Sequence, residues 1–118
     1  MLALSDAFRY FLYAKPADMR KSFYSLAALV REELHRDPLS GDIFIFLSRR
    51  RHHLKLLRWE GDGFALYSKR LESGSYELPK AQDENSFLLS HKELLLILQG
   101  ISLQQVQYRK RYEHKTSK

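Results

Sequence analysis

In residues 43–70, IFIFLSRRRHHLKLLRWEGDGFALYSKR, apolar runs alternate with turn chemistry, and that alternation decides the fold. Ile43 to Leu47 is a short, continuous apolar run, the pattern of a strand buried on both faces. Leu54 to Trp59 and Phe64 to Arg70 are two further strands. Between them, Glu60-Gly61-Asp62-Gly63 is a strong hairpin signal, because glycine and aspartate tolerate the positive φ of tight turns. Arg49 to His53 separates the first strand from the second and reads as another turn. The stretch is therefore expected to form a three-stranded meander.

Upstream, Phe8 to Ala14 (FRYFLYA) reads as a first strand, broken at Lys15-Pro16-Ala17. Asp18 is placed to cap a helix from Met19 to about His35, in which Phe23, Leu26, Ala27, Val30 and Leu34 share one face. Asp37-Pro38-Leu39-Ser40-Gly41 ends that helix. Downstream, Tyr76 to Leu78 reads as a short edge strand stopped by Pro79, followed by a polar loop, Lys80 to Ser86. Ser90 and Glu93 have capping-box spacing and open a helix that Gly100 closes. The expected fold is α+β: an antiparallel sheet of four or five strands, the first helix across one face, and a C-terminal helix (Leu89–Leu98) completing the core. Phe23, Leu26, Val30, Phe44, Phe46, Leu56, Leu66, Leu94 and Leu98 are its expected buried residues.

The chain has 118 residues, 44% of them hydrophobic and 13% aromatic, enough for one domain with one packed core. It contains no cysteine, which excludes disulfides and thiolate chemistry. The N-terminus has no basic segment ahead of an apolar core and does not read as a signal peptide. Apolar runs such as Leu94 to Leu98 fall far short of a membrane span. A soluble cytoplasmic protein with no membrane partner is expected.

The formal charge of +6 is unevenly spread. Residues 1–102 hold 15 basic and 13 acidic groups, while residues 103–118 hold five basic groups and one acid. A near-neutral domain (1–102) is thus followed by a basic tail (103–118). Three features suit nucleic acid. Arg49, Arg50 and Arg51 at a hairpin tip can meet successive phosphates, and His52 and His53 add charge below about pH 6.5. Arg109, Lys110 and Arg111 alternate with tyrosines in the tail, a pattern that can grip phosphates and stack on bases. Arg20 and Lys21 lie beside free amide groups at the expected helix start. Each also has a plain reading: a solvated turn, a solubilising terminus, a capped helix with a basic face.

Catalytic patterns are missing. The histidines lack metal-site spacing, and no GxSxG, P-loop or GxGxxG occurs. Asp18, Asp42, Glu60 and Asp62 are the carboxylates available to a two-metal nuclease, yet each has a simpler place as a cap or turn residue. No cofactor and no metal are expected, and the chain is read as a non-enzyme.

Taken in order, DMRKSFYSLAALV (18–30), DPLSGDIFIF (37–46), RRR (49–51), LKLLRWEGDGFALYSKRLESG (54–74), Leu78-Pro79 and the closing L-x-x-x-E-L-x-x-x-L-x-G-I (89–101) resemble the transposase accessory proteins of insertion sequences of the sixty-six type. These are second-reading-frame products, often called TnpB. The resemblance spans nearly all of residues 1–102. It implies a part in moving a bacterial mobile element beside a separate DDE-type transposase, and it supplies no catalytic residues. Two roles remain open. One is a DNA-binding accessory that holds element ends with the basic turn, Arg20, Lys21, Lys55 and Arg58. The other is an adaptor that docks on the transposase or a sister accessory protein through Tyr10, Tyr13, Tyr67 and Trp59.

Overall fold

The computed structural model describes residues 4–78 and 86–99, apart from the side chains of Ser86 and Phe87. The expected polar loop from Lys80, the Gly100 cap and the basic tail lie outside the described residues.

The elements are β1 (Tyr10–Tyr13), α1 (Phe23–Glu33), β2 (Ile43–Leu47), β3 (His53–Trp59), β4 (Phe64–Arg70), β5 (Ser86–Leu89) and α2 (His91–Leu98), and the five strands lie in the order β4-β3-β2-β1-β5. The meander is as expected: Phe44 pairs with Leu57, and His53 to Trp59 pair one for one with Arg70 to Phe64. The Glu60 N–H donates to the Gly63 carbonyl at 2.9 Å, and Gly61 takes φ +98°, a conformation that glycine adopts without strain.

One pairing departs from the all-antiparallel expectation. β1 and β2 are parallel, with Tyr10 opposite Ile43 and Leu12 opposite Ile45. The intervening α1 carries the chain back to the end where β1 began, and a strand–helix–strand crossover of this length makes neighbours parallel. Arg9 locks the shared start of the two strands, its Nε and Nη2 donating to the Asp42 carboxylate at 3.0 and 2.8 Å.

Alternation along the strands divides the core in two. Tyr10, Leu12, Ile43, Ile45, Leu54 and Leu56 face α2 with its Leu94 and Ile97. Phe11, Tyr13, Phe44, Phe46 and Leu57 face α1 with its Leu26, Ala27 and Val30. All five residues of β2 are buried, as a central strand covered on both sides requires.

α1 is shorter than its periodicity suggests. It starts after Ser22, whose N–H donates to Ser25 Oγ at 2.9 Å, and Asp18 caps nothing. It ends where His35 turns left-handed (φ +54°) and the Arg36 N–H reaches back to the Val30 carbonyl. The late start leaves Phe23 at the first turn, 40% exposed instead of buried, and Leu66 and Leu98 are half-buried. α2 has the capping box read from its sequence: Ser90 Oγ accepts from the Glu93 N–H and Glu93 Oε1 from the Ser90 N–H.

The fifth strand is not Tyr76 to Leu78. Tyr76 is a fully buried plug whose N–H donates to the Arg51 carbonyl at 2.6 Å. The strand is Ser86–Leu89, taken from the expected loop and helix start and paired antiparallel to β1. Tyr10 and Tyr13, offered as an exposed docking face, are buried on opposite sides of the sheet.

Candidate nucleic-acid interface

Because β1 and β2 are parallel while β3 runs against β2 and β4, the ends of β1, β2 and β4 and the start of β3 meet at one end of the sheet. Lys15 follows β1, Arg49 to Arg51 join β2 to β3, and Lys69 and Arg70 close β4; all six side chains are exposed. Glu72, also exposed, borders the same cleft as Arg50 and Arg70. Arg49, Arg50, Arg51, Lys69 and Arg70 have no ion-pair partner among the described residues, and Lys15 lies 3.9 Å from Glu33.

The arginine turn is held firmly by its backbone. The Ser48 N–H donates to the His53 carbonyl at 3.0 Å, the Arg51 N–H to the Ser48 carbonyl at 2.9 Å, and the His53 N–H to Ser48 Oγ at 3.1 Å. Behind the tip, the carbonyls of Arg51 and His52 accept from the Tyr76 and Leu71 N–H groups. These bonds fix the backbone that carries the three arginines. Arg50, His52 and Arg70 border an open cleft of about 370 Å³ that Ser73 and Gly74 close on the far side.

The other candidates divide. Arg20 is anchored by Asp18, which accepts its backbone N–H, its Nε at 3.0 Å and its Nη2 at 2.6 Å; the guanidinium beside it holds the Asp18 carboxyl well below the usual range. The Arg20 side chain is still 91% exposed. The Ala17 N–H donates to the Leu47 carbonyl at 2.8 Å, so the loop bearing Arg20 and Lys21 flanks the end of β2 and the arginine turn. Lys55 is buried and Arg58 is half-buried, and both are engaged elsewhere. Lys55 is 8% exposed, and its Nζ donates to the carbonyls of Met19 and Lys21 at 2.8 and 2.7 Å. It pins that loop to the sheet. Arg58 lies towards the opposite end, donating to the Gly41 carbonyl, 3.5 Å from Glu60 and stacked 4.2 Å over the Phe8 ring. Arg109, Lys110 and Arg111 lie outside the described residues.

His53 is half-buried, its Nε2 2.7 Å from Ser68 Oγ, and burial together with the charges of Lys55, Arg70 and His52 lowers its pKa from 6.5. The unfolded chain therefore takes up this proton first. Stability is undiminished above pH 6.5 and falls as the pH drops through 6.5 towards the folded value. An NMR titration of the His53 ring is expected to have its midpoint below that of the unfolded chain; an equal or higher midpoint would mean that the ring is charged against DNA as readily as a free imidazole.

Lys15, Lys69 and Arg70 were not among the sequence candidates. The last two were legible: once the Gly-Asp-Gly hairpin sets the register, Arg70 must face His53.

Comparison with known proteins places the chain in a lineage. Residues 8–108 match the family described as IS66 Orf2 like protein. The chain belongs to this family. Its members are the transposase accessory proteins of IS66-type insertion sequences. The match reaches Tyr108, six residues past the end of the resemblance read from the sequence, and stops before Arg109. Two relatives from Sinorhizobium fredii (strain NBRC 101917 / NGR234), uncharacterized proteins y4jC and y4hO, are each 35% identical over 101 residues, covering 86% of this chain and 86% and 87% of their own lengths. No solved structure matches the chain. Among the described residues of this IS66 Orf2-like chain, no helix is long and apolar enough to cross a membrane.

Proposed function

We propose that this transposition accessory protein binds the DNA backbone with the basic end of its sheet and leaves cutting and joining to a separate transposase. The observation that carries the reading is the convergence of Lys15, Arg49, Arg50, Arg51, Lys69 and Arg70 from three separate chain connections, flanked by Arg20 and Lys21. Cations on a turn whose backbone is already held release counterions from phosphates at no further cost in backbone freedom. In this reading Arg109, Lys110 and Arg111, which lie outside the described residues, add further phosphate contacts. The rest of the surface is mixed in sign, so one subunit binds weakly and with little regard to sequence, and selection of element ends falls to the transposase or a sister accessory subunit. The test is duplex binding across a salt series, with and without the turn arginines.

The non-catalytic part of the reading rests on the carboxylates. Asp42 is tied to Arg9 and Asp18 to Arg20, while Glu60 and Asp62 sit in a turn at the end of the sheet away from the arginines. The purified protein is expected to leave supercoiled and linear DNA intact with magnesium or manganese. In this assay Asp62→Ala should behave as the parent does. Cleavage that disappears in a folded Asp62→Ala variant would reverse the assignment.

A further inference from the structure

β4 forms one edge of the sheet, and nothing among the described residues covers it. Its seven residues pair with β3 without a bulge, contain no proline, and are exposed from Tyr67 to Arg70. Such an edge offers a row of unpaired backbone N–H and C=O groups to any strand that comes alongside. The opposite edge, β5, has four residues.

Aromatic side chains flank this edge on both faces. Tyr67, 40% exposed, is paired with Leu56 and so lies on the α2 side. On the α1 side Tyr24, 82% exposed, stands edge-on to Phe64 at 6.2 Å, and Phe64 in turn stands edge-on to Trp59 at 5.0 Å.

Charge is divided along the same edge. Lys69 and Arg70 close β4, and Asp62 lies in the turn that opens it; none of the three has an ion-pair partner among the described residues. Lysine and arginine on an edge ordinarily repel a like strand. That protection fails when the approaching strand runs the opposite way, because the basic end of each then meets the acidic turn of the other.

We propose that two copies of this chain pair antiparallel through β4, about a two-fold axis near Leu66, into one continuous sheet. Arg70 of each copy comes beside Asp62 of the other, Tyr67 lies close to the axis, and Tyr24 packs across the junction on the α1 face. An isologous contact of this kind closes on itself and stops at the dimer. The two basic ends then point in opposite directions, so that a dimer presents two DNA-binding surfaces where a monomer has one. The pairing itself does not depend on the DNA reading, and its test contains no DNA.

Sedimentation velocity on the full chain, from low to high micromolar concentration, should give a monomer–dimer equilibrium that weakens with added salt. Arg70→Asp and Asp62→Arg should each raise the dimer Kd by about tenfold, since each converts an attractive contact into a repulsive one. The double exchange Asp62→Arg/Arg70→Asp should bring the Kd back near that of the parent. Tyr67→Lys, which puts like charges together at the axis without touching the hairpin turn, should abolish the dimer while circular dichroism stays unchanged. A chain that is monomeric at every concentration overturns the proposal. So does a dimer whose Kd ignores all of these variants, because its interface then lies elsewhere.

Discussion

With Arg49, Arg50 and Arg51 all replaced by glutamate, the slope of log K against log salt on duplex DNA should flatten by close to 3, at about 0.9 for each phosphate that is no longer neutralised. Affinity at low salt should fall steeply as well, because each replacement removes a favourable charge and adds a repulsive one. The change should not disturb the fold. All three side chains are exposed, and the turn is held by the backbone bonds of Ser48, His53, Leu71 and Tyr76. Arg51 already sits at φ +59°, where glutamate bears the same strain as arginine. Removal of residues 104–118 on the same duplex should weaken binding less sharply, since it takes positive charge away without putting negative charge in its place. Equal affinities and equal slopes for the parent and the triple variant would demote the turn to a solvated hairpin tip and favour the adaptor role.

Lys55→Ala should lower the unfolding free energy by about 3 kcal/mol in urea titrations, the cost of two hydrogen bonds from a charged donor together with the packing of its stem. Lys55 is 8% exposed, and its ammonium is the link between β3 and the loop that carries Arg20 and Lys21. Lys55→Met fills the same space without the donor, so it should recover part of that stability and leave the Met19 and Lys21 carbonyls to water. DNA binding separates the two views of this residue. As an anchor, Lys55 touches no phosphate, and a folded Lys55→Met variant should keep the parent salt slope. A slope lowered by about 0.9 would instead return Lys55 to the set of DNA-binding residues.

The lysine also marks a limit of what sequence alone can say. In L-K-L-L-R-W it reads as an outward, DNA-binding residue of the meander's middle strand. Which way it points depends on whether a neighbour covers that face, and the neighbour is a loop 36 residues upstream. Arg58 is similar: its guanidinium is occupied by Phe8, Gly41 and Glu60, brought together from three parts of the chain.

What the residues determined unaided is local. The continuous apolar run of β2, the Gly-Asp-Gly hairpin and the Ser90–Glu93 capping box are each written within a few neighbouring positions, and all appear as read. The arginine turn belongs with them, because a charged run between two paired strands has only the hairpin tip to occupy. The family too was legible, since its motifs run in order along the chain. Tertiary structure decided what distant segments decide together: the parallel pairing of β1 with β2, the choice of Ser86–Leu89 over Tyr76–Leu78 as the fifth strand, the burial of Tyr10 and Lys55, and the gathering of Lys15, Lys69 and Arg70 around the arginine turn. The physical reason is the same in each case. A short apolar segment such as SFLL or YEL is equally content as strand or filler, and the free edge it meets, or the cavity it must plug, belongs to residues far away in sequence.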